Sequence, residues 1–238
     1  MPFFPHVFCR KRFLQIYWTL YVASCHDASS GQPSTRGSEI GDVLQYIDAK
    51  CREHFRAGPK ICIDESTVGF KDSVSFRSYY PQKSTKSGMH IYALADYQTG
   101  YISAFEPCYG STTTDSLSCP ELPFTCQIVL QLLQKVQQDT PGSGYYLRTD
   151  RFYTSPMLAE EIIRQKILLT GPVMPNRKQM SQQVKKKLNK SEVAVYRKGD
   201  SYMVLPWRDK RQVAMLTSAD NVSMKEVTKT QQEESDDE

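Results

Sequence analysis

The sequence predicts a mixed α/β sheet flanked by helices, and three observations support this fold class. Short apolar runs bounded by turn residues indicate buried strands, whereas apolar residues at helical spacing indicate amphipathic helices. Three strands come first in succession, which favours an antiparallel meander. Strands and helices then alternate, which favours parallel crossover connections.

The first part of the chain is predicted to be helical and to contain a linker. Residues 7–23 have apolar side chains near helical spacing, with basic residues between them. Residues 24–41 are rich in Ser, Gly, Pro and Thr, which is typical of a linker. A second helix is predicted over residues 42–55, and the Gly-Pro pair that follows ends it. We therefore interpret residues 1–57 as a short helical lead-in.

The first three strands are predicted from apolar runs in the part of the chain that follows. Residues 60–64 form a short apolar run, the pattern of a buried strand, and this strand is expected to end in Asp64. Residues 90–96 and 102–109 form the next two strands, joined by a Gln-Thr-Gly turn.

The alternating part of the fold begins with a helix over residues 126–138, whose apolar side chains share one face. Residues 145–150 then form a strand that again ends in an aspartate. Ser155 followed by Pro156 is a helix start, because the hydroxyl caps the helix and proline suits its first position. Residues 168–174 are predicted to form another strand.

The last third of the chain contains a basic insert and an acidic tail. The insert, residues 176–198, is predicted to be loop or exposed helix, and strands over 201–207 and 212–217 follow it. Residues 221–238 are expected to be a disordered acidic tail. The main domain therefore spans residues 58–220.

Composition limits the class of protein. The chain has 238 residues, enough for one sizeable domain or for one domain with a smaller attachment. Since 39% of the residues are hydrophobic, a packed core is expected and global disorder is excluded. Its apolar runs are too short to span a membrane. Seven cysteines, an odd number without a C-x-x-C pair, argue against a disulfide framework and against a zinc site.

The charge distribution favours an anionic partner. The net charge is +4, but the last six residues carry five acidic groups, so the rest of the chain carries +9. A chain with this excess of positive charge favours binding to a polyanion, and the acidic tail would compete with the polyanion for the same basic surface. The alternative interpretation is that both are simply solvated surface.

Two aspartates are the strongest candidates for a functional site. Asp64 and Asp150 each end a predicted buried strand, and ligands of open α/β sheets bind at the carboxyl ends of strands. Carboxylate oxygens are preferred ligands of Mg²⁺, and metal pairs can promote phosphodiester chemistry. A single aspartate at a strand end is also common as a turn residue, so each residue alone proves little.

Several further motifs occur in a fixed order around these aspartates. In chain order they are Ile63-Asp64-Glu65-Ser66, residues 69–71, residues 76–88, Leu94-Ala95-Asp96, Thr149-Asp150-Arg151-Phe152-Tyr153-Thr154-Ser155, residues 171–173 and residues 176–178. Together they resemble the core signature of the piggyBac-type transposases, over about residues 9–218.

This resemblance implies an RNase H-like fold, a DDE/D metal site and cut-and-paste DNA transposition in the nucleus. It makes Asp64 and Asp150 the first two catalytic, metal-binding aspartates, with Mg²⁺ or Mn²⁺ as the ion if the site is functional. The third carboxylate of the family's pattern is not found in this sequence. We therefore expect an RNase H-like domain that is incomplete at its carboxyl end, in a domesticated or truncated, DNA-associated protein without transposition activity.

Two alternative functions stay open at this point. One is an active metal-dependent transposase or nuclease that takes its third carboxylate from Asp96 or from a partner chain. The other is a protein-interaction domain that kept the fold and lost DNA binding. No small-molecule substrate and no membrane partner are expected, and a homodimer is left open.

Basic residues near the motifs are candidates for contact with double-stranded DNA, because phosphate contacts give salt-dependent, sequence-independent binding. The alternative is a solvated insert. The candidates are Arg77, Lys83, Lys86, Arg177, Lys178, Lys185, Lys186 and Lys187.

Overall fold

The computed structural model describes residues 9–19, 38–70, 76–139 and 144–219. The helices of these residues are α1 (Arg10–Thr19), α2 (Ser38–His54), α3 (Ser111–Ser116), α4 (Phe124–Asp139) and α5 (Pro156–Arg164). Their strands are β1 (Lys60–Gly69), β2 (Ser78–Tyr79), β3 (Ser87–Asp96), β4 (Ile102–Pro107), β5 (Tyr146–Thr149), β6 (Leu168–Pro172), β7 (Tyr196–Lys198), β8 (Tyr202–Arg208) and β9 (Gln212–Thr217).

All of these strands belong to one mixed sheet, so the predicted α/β fold class is confirmed. The order is β2-β3-β1-β5-β6-β9-β8-β7, and β4 pairs with the same strand, β3, as β2 does. β1 to β4 pair antiparallel, as the predicted meander requires. β1, β5 and β6 are parallel to one another, as the predicted crossovers require. β9 pairs antiparallel with β6, β8 pairs antiparallel with β9, and β7 pairs antiparallel with β8.

The core lies between one face of the sheet and helices α4 and α5. Ile61 of β1 is aligned with Leu147 of β5, which is aligned in turn with Leu169 of β6, and all three are fully buried. Ile128 and Leu132 of α4 are buried in the same cluster. Burying each such side chain contributes roughly 1.5–3 kcal/mol, so this layer fixes which face of every strand points inward. The alternate residues, including Asp64, point to the opposite face.

Helix α2 is attached to the sheet by a buried carboxylate. Asp48 is 5% exposed, and its Oδ1 accepts a hydrogen bond from the backbone N–H of Phe105 at 2.8 Å. Lys135 of α4 lies 3.2 Å from Asp48 and 2.8 Å from Glu106. Because one lysine bridges a helix and a strand, α2, α4 and β4 are held together at this edge.

Several element boundaries differ from the prediction, and the clearest cases are β1 and α2. Strand β1 does not end at Asp64 but continues to Gly69, because its second half pairs with β3 from Ala93 back to Gly88. Helix α2 begins at Ser38, four residues inside the predicted linker. Tertiary pairing and packing therefore extend both elements beyond their apolar runs.

The structure also contains elements that the sequence pattern did not predict. Strand β2 and helix α3 were not predicted, nor was β7 inside the basic insert. The rest of the insert forms turns rather than an exposed helix. Residues 20–37 of the predicted first helix and linker, and the tail from 220 onward, lie outside the described residues. None of the described helices is long and apolar enough to cross a membrane.

Candidate functional site

The pairing of β1 with β5 brings Asp64 and Asp150 side by side. These parallel strands are in register up to the pair Ile63 and Thr149. Asp64 is the next residue of β1, and Asp150 directly follows the last residue of β5. Neighbouring strands lie about 4.8 Å apart, so the two backbones are adjacent at this point. Asp64 is exposed and Asp150 is half-buried, as expected for groups that can receive a ligand from solvent.

Each aspartate uses one oxygen in a local hydrogen bond. Oδ1 of Asp64 accepts from the N–H of Glu65 at 2.8 Å, and Oδ1 of Asp150 accepts from the N–H of Phe152 at 2.7 Å. Neither Oδ2 has a hydrogen-bond partner among the described residues. Two carboxylates that each keep one oxygen fit the ligand preference of Mg²⁺, which is commonly held by one or two carboxylates. Within the described ranges, however, three His, Cys, Asp or Glu side chains do not converge as a metal-binding group.

The turn after Asp150 is fixed by hydroxyl groups. Oγ1 of Thr154 donates to the backbone oxygen of Asp150 at 2.7 Å and lies 2.8 Å from Oγ1 of Thr149. Ser155 then caps α5 by accepting from the N–H of Leu158, as predicted. The Thr-x-x-x-x-Thr-Ser pattern therefore builds a turn that holds Asp150 in one position.

A second anchor joins β1 to this turn. The hydroxyl of Tyr153 donates to Oε2 of Glu65 at 3.1 Å, and Nζ of Lys83 lies 3.3 Å from Oε1 of the same carboxylate. Tyr153 is fully buried, and burial, together with the nearby charge of Glu65, raises its pKa, so the phenol stays neutral and donates. Glu65 is therefore occupied by two partners, on the face opposite to Asp64.

Asp96 is held away from the two aspartates. It pairs with Ile61, three residues before Asp64 on β1, which corresponds to about 10 Å along a strand. Its Oδ2 accepts from Gly58, and its Oδ1 accepts from the N–H groups of Gln98 and Thr99 and from the Thr99 hydroxyl. Hydrogen bonds, first of all from the Thr99 backbone, hold the pKa of Asp96 below its usual value. Asp96 therefore anchors the turn after β3. Its position at the end of a predicted strand could have indicated this role.

Among the predicted basic residues, Arg177 forms hydrogen bonds to the turn that follows Asp150. Its Nη2 donates to the backbone oxygens of Arg151, at 3.0 Å, and of Phe152. Lys178 follows and is exposed, and so is Arg151 itself. Sequence reasoning did not select Arg151, although its position directly after Asp150 makes it a candidate of the same kind.

The three lysines of the insert are presented by a rigid turn. Lys185, Lys186 and Lys187 are all exposed, between the buried side chains of Val184 and Leu188. The Gln212 side chain clamps this turn, since its Oε1 accepts from the N–H of Leu188 at 3.1 Å and its Nε2 donates to the Lys186 oxygen at 3.0 Å. Gln212 of β9 therefore fixes the backbone of the turn that carries the three exposed lysines.

The remaining basic candidates lie around β2. Arg77 and Lys86 are exposed, whereas Lys83 is half-buried and reaches Glu65, the neighbour of Asp64. Lys83 also lies 5.7 Å from the centre of the Tyr80 ring. Lys83 thus contacts the residue that follows Asp64, on the opposite face of β1.

Comparison with known proteins identifies the family. The model of a DDE transposase family described as Transposase IS4 matches residues 1–237. The chain belongs to this transposase family. Members of DDE transposase families typically use divalent metal ions, which agrees with the donor chemistry of the aspartate pair.

A solved transposase has the same fold as this family member. The cryo-EM structure of a piggyBac transposase synaptic complex with hairpin DNA superposes with a TM-score of 0.81 at 21% sequence identity. The match covers 94% of this chain and 46% of that chain, so this transposase-family chain spans less than half of the solved protein. The predicted resemblance to piggyBac transposases and the predicted fold are confirmed.

Proposed function

We propose that this chain is a transposable-element-derived domain that binds double-stranded DNA and a divalent ion, and that does not catalyse transposition by itself. The observation that supports this proposal best is the register of β1 and β5, which sets Asp64 beside Asp150. Two carboxylates at the ends of a parallel ladder are suited to an oxygen-loving cation. Mg²⁺ or Mn²⁺ is the ion that we expect.

In the proposed site, Asp64 and Asp150 each offer Oδ2 to the ion, while their Oδ1 atoms keep the hydrogen bonds that orient them. An ion bound there would polarise a phosphate oxygen and stabilise a leaving oxygen. The contribution of the chain is to hold both carboxylates on rigid elements, which Thr154 and Tyr153 do for the Asp150 turn.

Two nearby carboxylates are not suited to complete a catalytic set. Glu65 is engaged by Tyr153 and Lys83, and Asp96 accepts four hydrogen bonds at the other end of β1. Two-metal catalysis needs ligands that fix both ions and their geometry. We therefore propose that the described residues bind an ion without cutting DNA, as in a domesticated transposase-derived protein.

DNA would be held by the basic residues on the side of the Asp150 turn and on the lysine turn. Arg177 contacts the backbone of the Asp150 turn, and Lys178 and Lys185–Lys187 are exposed. Such contacts neutralise phosphates without reading sequence. We propose a nuclear protein of three parts: a lead-in (1–57), the transposase domain (58–220) and an acidic tail (221–238).

Calorimetric titration with Mn²⁺ tests the metal site. We expect wild-type protein to bind, and Asp64→Asn and Asp150→Asn to lose binding, whereas Asp209→Asn, at an exposed aspartate after β8, binds normally. No binding by folded wild type would contradict the metal proposal. Mg²⁺-dependent cutting of transposon-end DNA that Asp64→Asn abolishes would instead establish an active enzyme.

Salt-dependent duplex binding tests the DNA interface. Charge reversal of Lys185, Lys186 and Lys187 to Glu is expected to weaken binding at least tenfold and to reduce the slope of log K against log salt by about 0.9 for each lost phosphate contact. The control reverses Lys60, Lys166 and Lys210, which are also exposed. Equal effects of both triple variants would show only nonspecific charge attraction. No duplex binding by wild type at low salt would favour the protein-interaction alternative.

A further inference from the structure

One edge of the sheet is open along residues 192–198. Strand β7 stands last in the sheet order, and no further strand pairs with it among the described residues. The isolated bridge between Val193 and Trp207 extends its alignment with β8 toward residue 192. This segment, which we call the β7 edge, is therefore paired along one side only.

The backbone of the β7 edge alternates between groups that bond to β8 and groups that point outward. The N–H of Ala194 donates to the Pro206 oxygen at 3.0 Å, in line with the antiparallel pairing of β7 and β8. In such a pair, every second residue points its N–H and C=O groups away from the neighbouring strand. The backbone groups of Val193, Val195 and Arg197 therefore face outward, and those of the two valines bond to no other backbone group among the described residues.

The side chains of the β7 edge leave it open to another strand. Val193 and Val195 are 43% and 40% exposed, and valine and tyrosine both favour strands. Native proteins commonly block an open edge with proline, a bulge or a charge, whereas residues 193–196 read Val-Ala-Val-Tyr. An exposed apolar edge of this kind is a template for the addition of a strand.

We propose that the β7 edge binds the same edge of a second copy of this chain, antiparallel and across a two-fold axis at Val195. In this register Val195 faces its own copy and Val193 faces Arg197 of the second copy, so the outward N–H and C=O groups exchange hydrogen bonds. Glu192 then lies opposite Lys198 of the second copy at both ends of the interface, and both residues are exposed. Opposite charges at facing positions of two strands are favourable.

Charge also disfavours the neighbouring registers. A shift of two residues is the smallest that keeps the outward backbone groups facing each other. In one direction this shift brings Glu192 against Asp200 of the second copy, and in the other it brings Lys190 against Lys198 of the second copy. Like charges at facing positions are destabilising. The charge pattern therefore favours a second copy of the chain in one register.

The ion pair that Lys198 already forms is compatible with this interface. Its Nζ contacts Glu160 of α5 within the same chain. An ammonium group has three N–H donors, so Lys198 can bond to Glu160 and to Glu192 of the second copy together. The bond that Glu192 makes to the N–H of Asn189 uses Oε2, which leaves Oε1 for the lysine.

Sedimentation equilibrium of the full chain tests the interface. We expect wild type to form a reversible dimer of twice the chain's mass. Val195→Pro removes an outward N–H that has no backbone partner within the chain, so it should raise the dimer dissociation constant at least tenfold and leave the fold intact. Val195→Thr is the matched control, because it keeps both the N–H and the strand propensity and should still dimerise.

Two charge variants test the register. Glu192→Lys and Lys198→Glu each place like charges opposite one another in their own dimers, so each alone should dimerise roughly fivefold less tightly. An equimolar mixture of the two should regain the wild-type affinity, because every lysine at these positions then faces a glutamate. This mixture also decides the question if Val195→Pro folds poorly.

Three outcomes overturn the inference. The first is a wild type that stays monomeric at its highest soluble concentration, which would leave the β7 edge to a strand of another protein. The second is a dimer that Val195→Pro leaves intact, and the third is a mixture of charge variants that gains no affinity. The metal and DNA binding proposed above use other residues, so they stand or fall separately.

Discussion

The hydroxyl of Tyr153 donates a hydrogen bond to Oε2 of Glu65, which connects the turn that holds Asp150 to the strand that holds Asp64. The bond is 3.1 Å long, and its donor is fully buried. It spans 88 residues of sequence. The spacing of the two candidate metal ligands thus depends on a pair of residues that do not themselves face the proposed ion.

Tyr153→Phe is therefore expected to weaken Mn²⁺ binding several-fold. It should also lower the free energy of unfolding by about 1.5–3 kcal/mol, the usual scale for one hydrogen bond to a charged group. Glu65→Gln keeps an oxygen that can accept from Tyr153, so it should retain more of the Mn²⁺ affinity. Calorimetry and urea unfolding measure the two effects. Lower stability with unchanged Mn²⁺ affinity would show that the bond is structural and does not position the site.

Gly171 of β6 is expected to tolerate no side chain. A Cβ atom there would lie 2.3 Å from the Thr149 oxygen and 2.4 Å from Oγ1 of Thr154. Gly171→Ala should therefore destabilise the fold by about 3 kcal/mol, because overpacking beside a fixed turn forces backbone shifts. Thermal unfolding gives the measurement. Gly41→Ala is the matched control, since a Cβ in helix α2 meets nothing within 4 Å and should add about 0.5–1 kcal/mol of stability.

The turn anchored by Asp96 predicts a pH dependence of stability. Because hydrogen bonds depress the pKa of Asp96 in the folded state, its contribution is present above the unfolded pKa of about 3.9 and is lost as pH falls through the lower folded pKa. Asp96→Asn should reduce stability at pH 7 and flatten the decline below pH 4. Urea unfolding over pH 2–7 measures the free energy of unfolding of both proteins, with Asp209→Asn as the control. A parallel curve for wild type and Asp96→Asn would contradict this assignment.

Removing the Asp48 carboxylate is expected to loosen helix α2. Asp48→Ala removes a carboxylate partner of both Lys135 and Arg52 and leaves the Phe105 N–H without its acceptor. Breaking such a buried charge network costs roughly 3 kcal/mol. Hydrogen exchange should show faster exchange in α2 and β4. Glu53→Ala is the comparison, since its pair with Lys50 is exposed and should change little. Unchanged protection in α2 would mean that apolar contacts alone hold it.

The strand and helix types were predictable because their apolar periodicity is local. Helix α4, the Ser155 cap and strand β9 lie close to where the pattern placed them. The length of β1 was not predictable, since its polar second half is a strand only through pairing with β3. Strands β2 and β7 were not predicted because strands of two and three residues are too short to show a periodic apolar pattern.

The sequence by itself determined the family and the two aspartates, because a motif order over most of the chain is specific even when each motif is not. Only the tertiary structure decided which carboxylates lie together. The register of β1 with β5 places Asp64 beside Asp150, and the register of β1 with β3 places Asp96 at the far end of β1. Because side chains alternate along a strand, Glu65 lies on the opposite face from Asp64, where it accepts a hydrogen bond from Tyr153. Those assignments depend on contacts between residues distant in sequence, which local spacing does not encode.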